Sequence, residues 1–146
     1  MNSAPLTPSP VLGEVIVDQL IKLGIKDAVI APGSRNAPLT MALWRAYEKG
    51  LIELHTRIDE RSAAFLALGI AKATGLPTPV ICTSGSAAAN FYPALLEAYH
   101  SGEPLIAITA DRPARLWQTG ANQTTQQVNM FPAAVSETLN LAVDGE

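Results

Sequence analysis

Glu60 stands in the segment Asp59-Glu60-Arg61-Ser62, directly before the apolar run Ala63-Ala64-Phe65-Leu66-Ala67-Leu68. The pattern predicts an acid at the mouth of a helix whose next turns are built for burial on every side. A carboxyl group withdrawn from water keeps its proton more readily, so it can share that proton with a ligand nitrogen and act in acid/base chemistry. A second reading is open on this segment alone, with Asp59 as the N-cap and Glu60 merely complementing the helix dipole. Arg35, Arg57 and Arg112 each lie beside turn residues. Brought together, they make an electropositive mouth suited to carboxylates, which a guanidinium binds bidentately while staying charged. The competing expectation is that one of the three pairs with Asp59, Glu60 or Asp111.

The elements that must position these residues follow a regular order. Residues 1–8 read as a loose leader, after which Ser9-Pro10 starts a helix with a cap and a first-turn proline. Leu12, Val15, Ile16, Leu20 and Leu23 keep helical spacing, and Gly24 is placed to end it. The short apolar run 28–31 then predicts a strand, followed by the turn Pro32-Gly33-Ser34-Arg35-Asn36 and a helix over 38–49. The same order recurs: a strand over 52–56 before the Glu60 helix, a strand over 80–83 before a helix over 87–99, and a strand over 105–109 before Asp111-Arg112-Pro113. Strands apolar on both faces and alternating with helices predict an open, doubly wound, mainly parallel α/β sheet with helices on both faces and right-handed crossovers. Ligands of such sheets bind outside the carboxyl ends of the strands, where this sequence places its polar loops. The amide-rich stretch from Trp117 reads as a functional loop. Residues 133–143 are expected to hold one more strand, and with no closing helix before Glu146 the domain is expected to be cut short at its C-terminal end.

Composition limits the partners. The 146 residues are 48% hydrophobic and 16% charged with a formal net charge of −3, which fits one domain with a filled core and offers no basic footprint for nucleic acid. No apolar run reaches membrane-spanning length and no secretory signal opens the chain, so a cytoplasmic protein acting on a small molecule is expected. Cys82, the one cysteine, reads as a buried strand residue, and the isolated His55 and His100 give no metal-ligand spacing, so no metal site is expected. Ser84-Gly85-Ser86 ends a strand and opens a helix. Its backbone N–H groups suit an anion or a polar heterocycle, or else they form a tight turn with a serine cap. The Gly-Lys-Ser/Thr ending of a P-loop and the Gly-x-Ser-x-Gly of a nucleophile elbow are both missing. Trp117, Phe131 and Tyr92 read as packing aromatics.

Taken in order, Pro32-Gly33-Ser34-Arg35, Asp59-Glu60-Arg61, Thr83-Ser84-Gly85-Ser86, Thr109-Ala110-Asp111-Arg112-Pro113 and Gly120-Ala121-Asn122-Gln123 resemble one family over roughly residues 10–132. This is the thiamine-diphosphate-dependent SEPHCHC synthase family of the menaquinone pathway, commonly called MenD. What is resembled is its N-terminal, pyrimidine-binding domain, here residues 9–146. The family's central and pyrophosphate-binding domains, with the magnesium motif, are not in the chain. The resemblance implies a transferase that decarboxylates 2-oxoglutarate on thiamine diphosphate and adds the succinyl-semialdehyde unit to isochorismate, on the way to menaquinone or phylloquinone. It implies Glu60 as the catalytic acid that hydrogen-bonds N1′ of the aminopyrimidine, and Ser86 near the same ring. Ser34, Arg35, Arg112, Asn122 and Gln123 are implied in the substrate pocket, while Arg57 has no family role. Thiamine diphosphate and Mg²⁺ are the implied cofactors, the metal and diphosphate being held by the domain not in this chain. The implied assembly is a homodimer or homotetramer, and the chain alone is expected to be inactive. The alternatives are the corresponding domain of another thiamine-diphosphate lyase, or a stand-alone flavodoxin-like module that binds a small anion.

Overall fold

The computed structural model of the chain describes residues 8–141. The chain runs α1 (Pro8–Lys22), β1 (Asp27–Ile30), α2 (Ala37–Glu48), β2 (Glu53–Thr56), α3 (Glu60–Thr74), β3 (Thr78–Cys82), α4 (Ser86–Ala89), α5 (Tyr92–Ser101) and β4 (Leu105–Thr109), and then makes a 3₁₀ turn at Ala114–Leu116. The strands form one parallel sheet in the order β2-β1-β3-β4. Each consecutive pair is joined through a helix, as parallel strands require. The expected doubly wound fold is borne out. Because β2 lies on one side of β1 and β3 on the other, the strand order reverses at β1, and the ligand crevice of such a sheet opens between the carboxyl ends of β1 and β3.

Both faces are covered. On one, α1 and α2 pack Val17, Leu20, Ala42, Leu43 and Ala46 against Ala28, Ile30 and Ile81. On the other, α3, α4 and α5 pack Ala63, Ala64, Ala67, Ala87, Ala88, Phe91, Ala94 and Leu95 against Val29, Val80 and Cys82. Alternate residues of β1 and β3 thus enter opposite cores, which is why both strands read as continuous apolar runs. Among the described residues no helix is long and apolar enough to cross a membrane.

Several expectations are corrected. α1 already includes Pro8 and Ser9, so the expected cap at Ser9 lies inside the helix, and residues 1–7 of the expected leader lie outside the described residues. The single helix expected over 87–99 is two: Pro93 has no N–H to give to Ala89, and the chain tightens there, Asn90 N bonding Ala87 O and Phe91 N bonding Ala88 O, before α5 begins. Phe65 is 45% exposed, so α3 is buried on its alanine face rather than on every side. The strand expected over 133–143 does not form among the described residues. Only Ala134 of that stretch is buried, inserted into the α3/α5 core, and one anchored residue is not the alternating face a strand needs. Residues 142 and 143 lie outside the described part.

Candidate functional site

The loops after all four strands lie at the carboxyl edge of the sheet, and polar side chains tie those after β1, β3 and β4 together. After β1, Asn36 is buried and organises its own turn, with Oδ1 accepting from Gly33 N at 2.8 Å and Nδ2 donating to Ala31 O at 3.0 Å. This leaves Ser34 exposed and Arg35 half-buried at the tip of the loop. Their side chains make no hydrogen bond or ion pair with other described residues, so both are free to meet a ligand.

After β2, Asp59 caps α3, its Oδ1 accepting from Ser62 N at 2.8 Å. That bond, together with the neighbouring Arg61 charge, holds the Asp59 carboxyl below its ordinary value. The capping reading is therefore right for Asp59, and Glu60 is left for something else. Glu60 is half-buried in the first turn, and no hydrogen-bond donor among the described residues reaches its carboxylate. Burial first, and then the Glu60 charge nearby, push the Cys82 thiol up to about 12. Cys82 is fully buried, as expected for a structural strand residue. Arg57 turns outward and donates to Thr56 O at 2.7 Å.

After β3, Thr83 and Ser84 are buried while Ser86 opens α4 with its side chain exposed. Gly85 is at φ +85°, and a Cβ there would come within 3.2 Å of Gln123, so only glycine suits this close approach. The expectation that the N–H groups of this turn face a ligand is corrected at Gly85, whose N–H donates to Gln127 Oε1 at 2.8 Å. Gln127 Nε2 donates in turn to Ala110 O at 2.9 Å, so one amide ties the loop after β3 to the loop after β4. Gln123 is gripped twice, its carbonyl by Ser84 Oγ at 2.9 Å and its Nε2 by Thr83 Oγ1 at 3.1 Å.

After β4, Asp111 Oδ1 accepts from Arg112 N at 2.7 Å. Partial burial raises the Asp111 pKa, and the Arg112 N–H opposes it. Arg112 donates from one terminal nitrogen to Asn122 O at 2.8 Å, and its Nε is buried without a partner. An orphaned guanidinium nitrogen is costly unless a ligand oxygen completes it. The expected pairing of one arginine with a nearby acid is not seen: among the described residues Arg35, Arg57 and Arg112 make no ion pair. Trp117 Nε1 donates to Arg112 O at 2.8 Å, and Tyr92 stacks on Phe131 with ring centroids 5.8 Å apart, so the aromatics pack the loop as expected. A depression of about 400 Å³ lies inside that loop, lined by Trp117, Gln118, Gly120, Ala121 and Thr124 to Gln126. Glu60 and Ser86 do not line it.

The structure therefore brings Arg35, Arg112, Asn122 and Gln123 into one bonded group of loops, while Glu60 opens α3 on the same edge of the sheet. Sequence reasoning missed Asn36, Thr83, Ser84 and Gln127 as the residues that hold the loops. Their only signal is polarity at the end of a buried strand or within an amide-rich loop, and their partners are distant in the chain.

A four-stranded parallel sheet with helices on both faces fits a pyrimidine-binding domain of the thiamine-diphosphate enzymes. A family model described as "Thiamine pyrophosphate enzyme, N-terminal TPP binding domain" matches residues 11–130, and the chain belongs to that family. It is 54% identical over 138 residues to a 2-succinyl-5-enolpyruvyl-6-hydroxy-3-cyclohexene-1-carboxylate synthase of Saccharopolyspora erythraea, covering 94% of this chain and 25% of that protein. Synthases of the same name match from Thermobifida fusca, at 54% identity over 130 residues (89% and 23%), and from Actinobacillus succinogenes, at 51% over 133 residues (91% and 23%). The resemblance read from the motifs is borne out. The chain spans about a quarter of the length of the curated relatives it matches.

Proposed function

We propose that this domain supplies the pyrimidine side of the active site of a SEPHCHC synthase, a transferase that uses 2-oxoglutarate and isochorismate in menaquinone or phylloquinone biosynthesis. The observation that carries the reading is Glu60, a half-buried carboxyl group with no donor among the described residues, set at the first turn of α3 on the sheet edge that also carries the unpaired Arg35 and the partner-less Nε of Arg112. A carboxyl group so placed suits the ring nitrogen of an aminopyrimidine. Glu60 is the group that holds a proton against N1′ of the ring, and Ser86, exposed at the start of α4, lies on the same edge of the sheet. When bound, thiamine diphosphate supplies the carbon-carbon chemistry, and this chain orients and polarises it. Both substrates are dicarboxylates. Arg35 and the orphaned Nε of Arg112 bind a substrate carboxylate, with Ser34, Asn122 and Gln123 as the polar groups that fix its orientation. Mg²⁺ and the diphosphate fall to residues outside this chain, supplied in a homodimer or homotetramer by the pyrophosphate domain of a second subunit. The cytoplasm is the proposed location.

Replacing Glu60 by Gln in the full-length protein keeps the shape and removes the acid. Turnover should fall by about two to four orders of magnitude, the range for a positioned acid/base group. Near-normal turnover of the two dicarboxylates would remove Glu60 from the chemistry.

A further inference from the structure

We propose that Thr83 is a positioning residue of the substrate pocket, holding Gln123 and the Arg35 loop in register through a single hydroxyl oxygen. The proposal rests on the reading above, in which Arg35 and Gln123 meet substrate. Thr83 follows β3 directly, at the mouth of the crevice between β1 and β3, and is only 7% exposed. Its Oγ1 accepts from Gln123 Nε2 at 3.1 Å and, more weakly, from Arg35 N at 3.4 Å. Its Cβ lies 2.5 Å from where a Cβ on Gly33 would stand, so the Gly33 backbone rests directly on it. Three loops far apart in the chain thus meet on one side chain.

Gln123 needs such a hold. Its backbone is at φ +58°, a left-handed conformation that a residue with a side chain adopts only when its surroundings impose it. Ser84 holds the carbonyl, and among the described residues only Thr83 holds the side-chain amide. With one N–H anchored on Thr83, the Oε1 of Gln123 has no donor among the described residues and stays free for a ligand. The threonine hydroxyl therefore decides which way the amide presents its acceptor. A hydroxyl can take both bonds because it carries two lone pairs, and no apolar residue of the same shape can replace it.

Two variants separate positioning from packing. Thr83→Val keeps the branched shape against Gly33 and removes the acceptor, whereas Thr83→Ser keeps the acceptor and removes the methyl group. A packing role ranks Val above Ser, and a positioning role ranks Ser above Val. In the full-length protein, Thr83→Val should raise KM for a dicarboxylate substrate at least tenfold with a smaller change in kcat, and Thr83→Ser should stay within threefold of wild type even if it melts earlier. In ¹⁵N-labelled protein without cofactor, the Gln123 side-chain amide should show slowed solvent exchange in wild type and Thr83→Ser and lose it in Thr83→Val. Wild-type KM in Thr83→Val, or equal losses in both variants, would overturn the proposal. If the wild-type protein turned over neither dicarboxylate, the substrate reading would fall, and the amide exchange would decide: loss confined to Thr83→Val supports the clamp, and unchanged exchange overturns it.

Discussion

Replacing Gly33 by Ala should unfold the site-bearing end of the sheet more readily, and the size of the effect follows from one contact. The new Cβ would stand 2.5 Å from Thr83 Cβ, 2.8 Å from its Cγ2 and 2.9 Å from its Oγ1, whereas carbon atoms pack at about 3.5–4.0 Å. The nearest atom is itself a Cβ, fixed by the backbone that follows β3, so rotating the threonine does not relieve the overlap. The loop after β1 must move away instead. That movement pulls Gly33 N from Asn36 Oδ1, now 2.8 Å apart, at a residue with no exposure to water. Overpacking costs about 1–3 kcal/mol and a broken buried hydrogen bond about 1 kcal/mol more. The expected loss is roughly 2–4 kcal/mol, a fall in Tm of roughly 6–12 °C for a domain of this size. Gly69→Ala is the control: no heavy atom lies within 4 Å of its added Cβ in the middle of α3, so it should stabilise by about 0.5–1 kcal/mol. Urea unfolding followed by circular dichroism measures both, with an unchanged m-value showing that the native state is the one perturbed. A Gly33→Ala variant within about 0.5 kcal/mol of wild type, the range of an inert surface change, would refute the reasoning.

Arg35→Ala and Arg112→Ala should each weaken the use of a dicarboxylate substrate while thiamine diphosphate binding barely changes, and Lys should rescue only in part because it lacks the bidentate fork. Wild-type kinetics in both alanine variants would return these arginines to the surface. For Cys82 the sign follows from linkage. Burial, and then the Glu60 charge, raises the folded thiol from 9.0 to about 12, so its contribution to stability is present below pH 9.0 and is lost as pH rises toward 12. Cys82→Ala should therefore lose stability less steeply than wild type between about pH 9 and 11 in urea titrations. Parallel curves would mean that the thiol is not the source of the alkaline instability.

Much of the architecture was legible because the relevant signals are local. Continuous apolar runs at 28–31 and 80–83 mark strands buried on both faces, the run at 105–109 marks a half-buried edge strand, and the polar turns that follow them must lie at the carboxyl edge of a parallel sheet. The family motifs likewise rest on short segments in a fixed order. The break between α4 and α5 was within reach of the same reasoning, since Pro93 alone dictates it. Where a single buried residue carries the packing, as Ala134 does, periodicity misleads, and a strand was expected that does not form.

The sequence by itself determined the strand–helix order, Asp59 as a candidate cap with Glu60 at the mouth of α3, and the set of polar residues available at the sheet edge. Only the tertiary structure decided what those residues bind to one another. Gly33 is required because Thr83, fifty residues on, occupies the space of its missing side chain. The Gly85 N–H is closed by Gln127 rather than left for a ligand, and the Arg112 guanidinium is held by Asn122 O with no ion pair among the described residues. Such pairings depend on how far apart two loop backbones lie after crossing a twisted sheet. That distance is set by the packing of the two cores beneath them, and no local pattern in the chain encodes it.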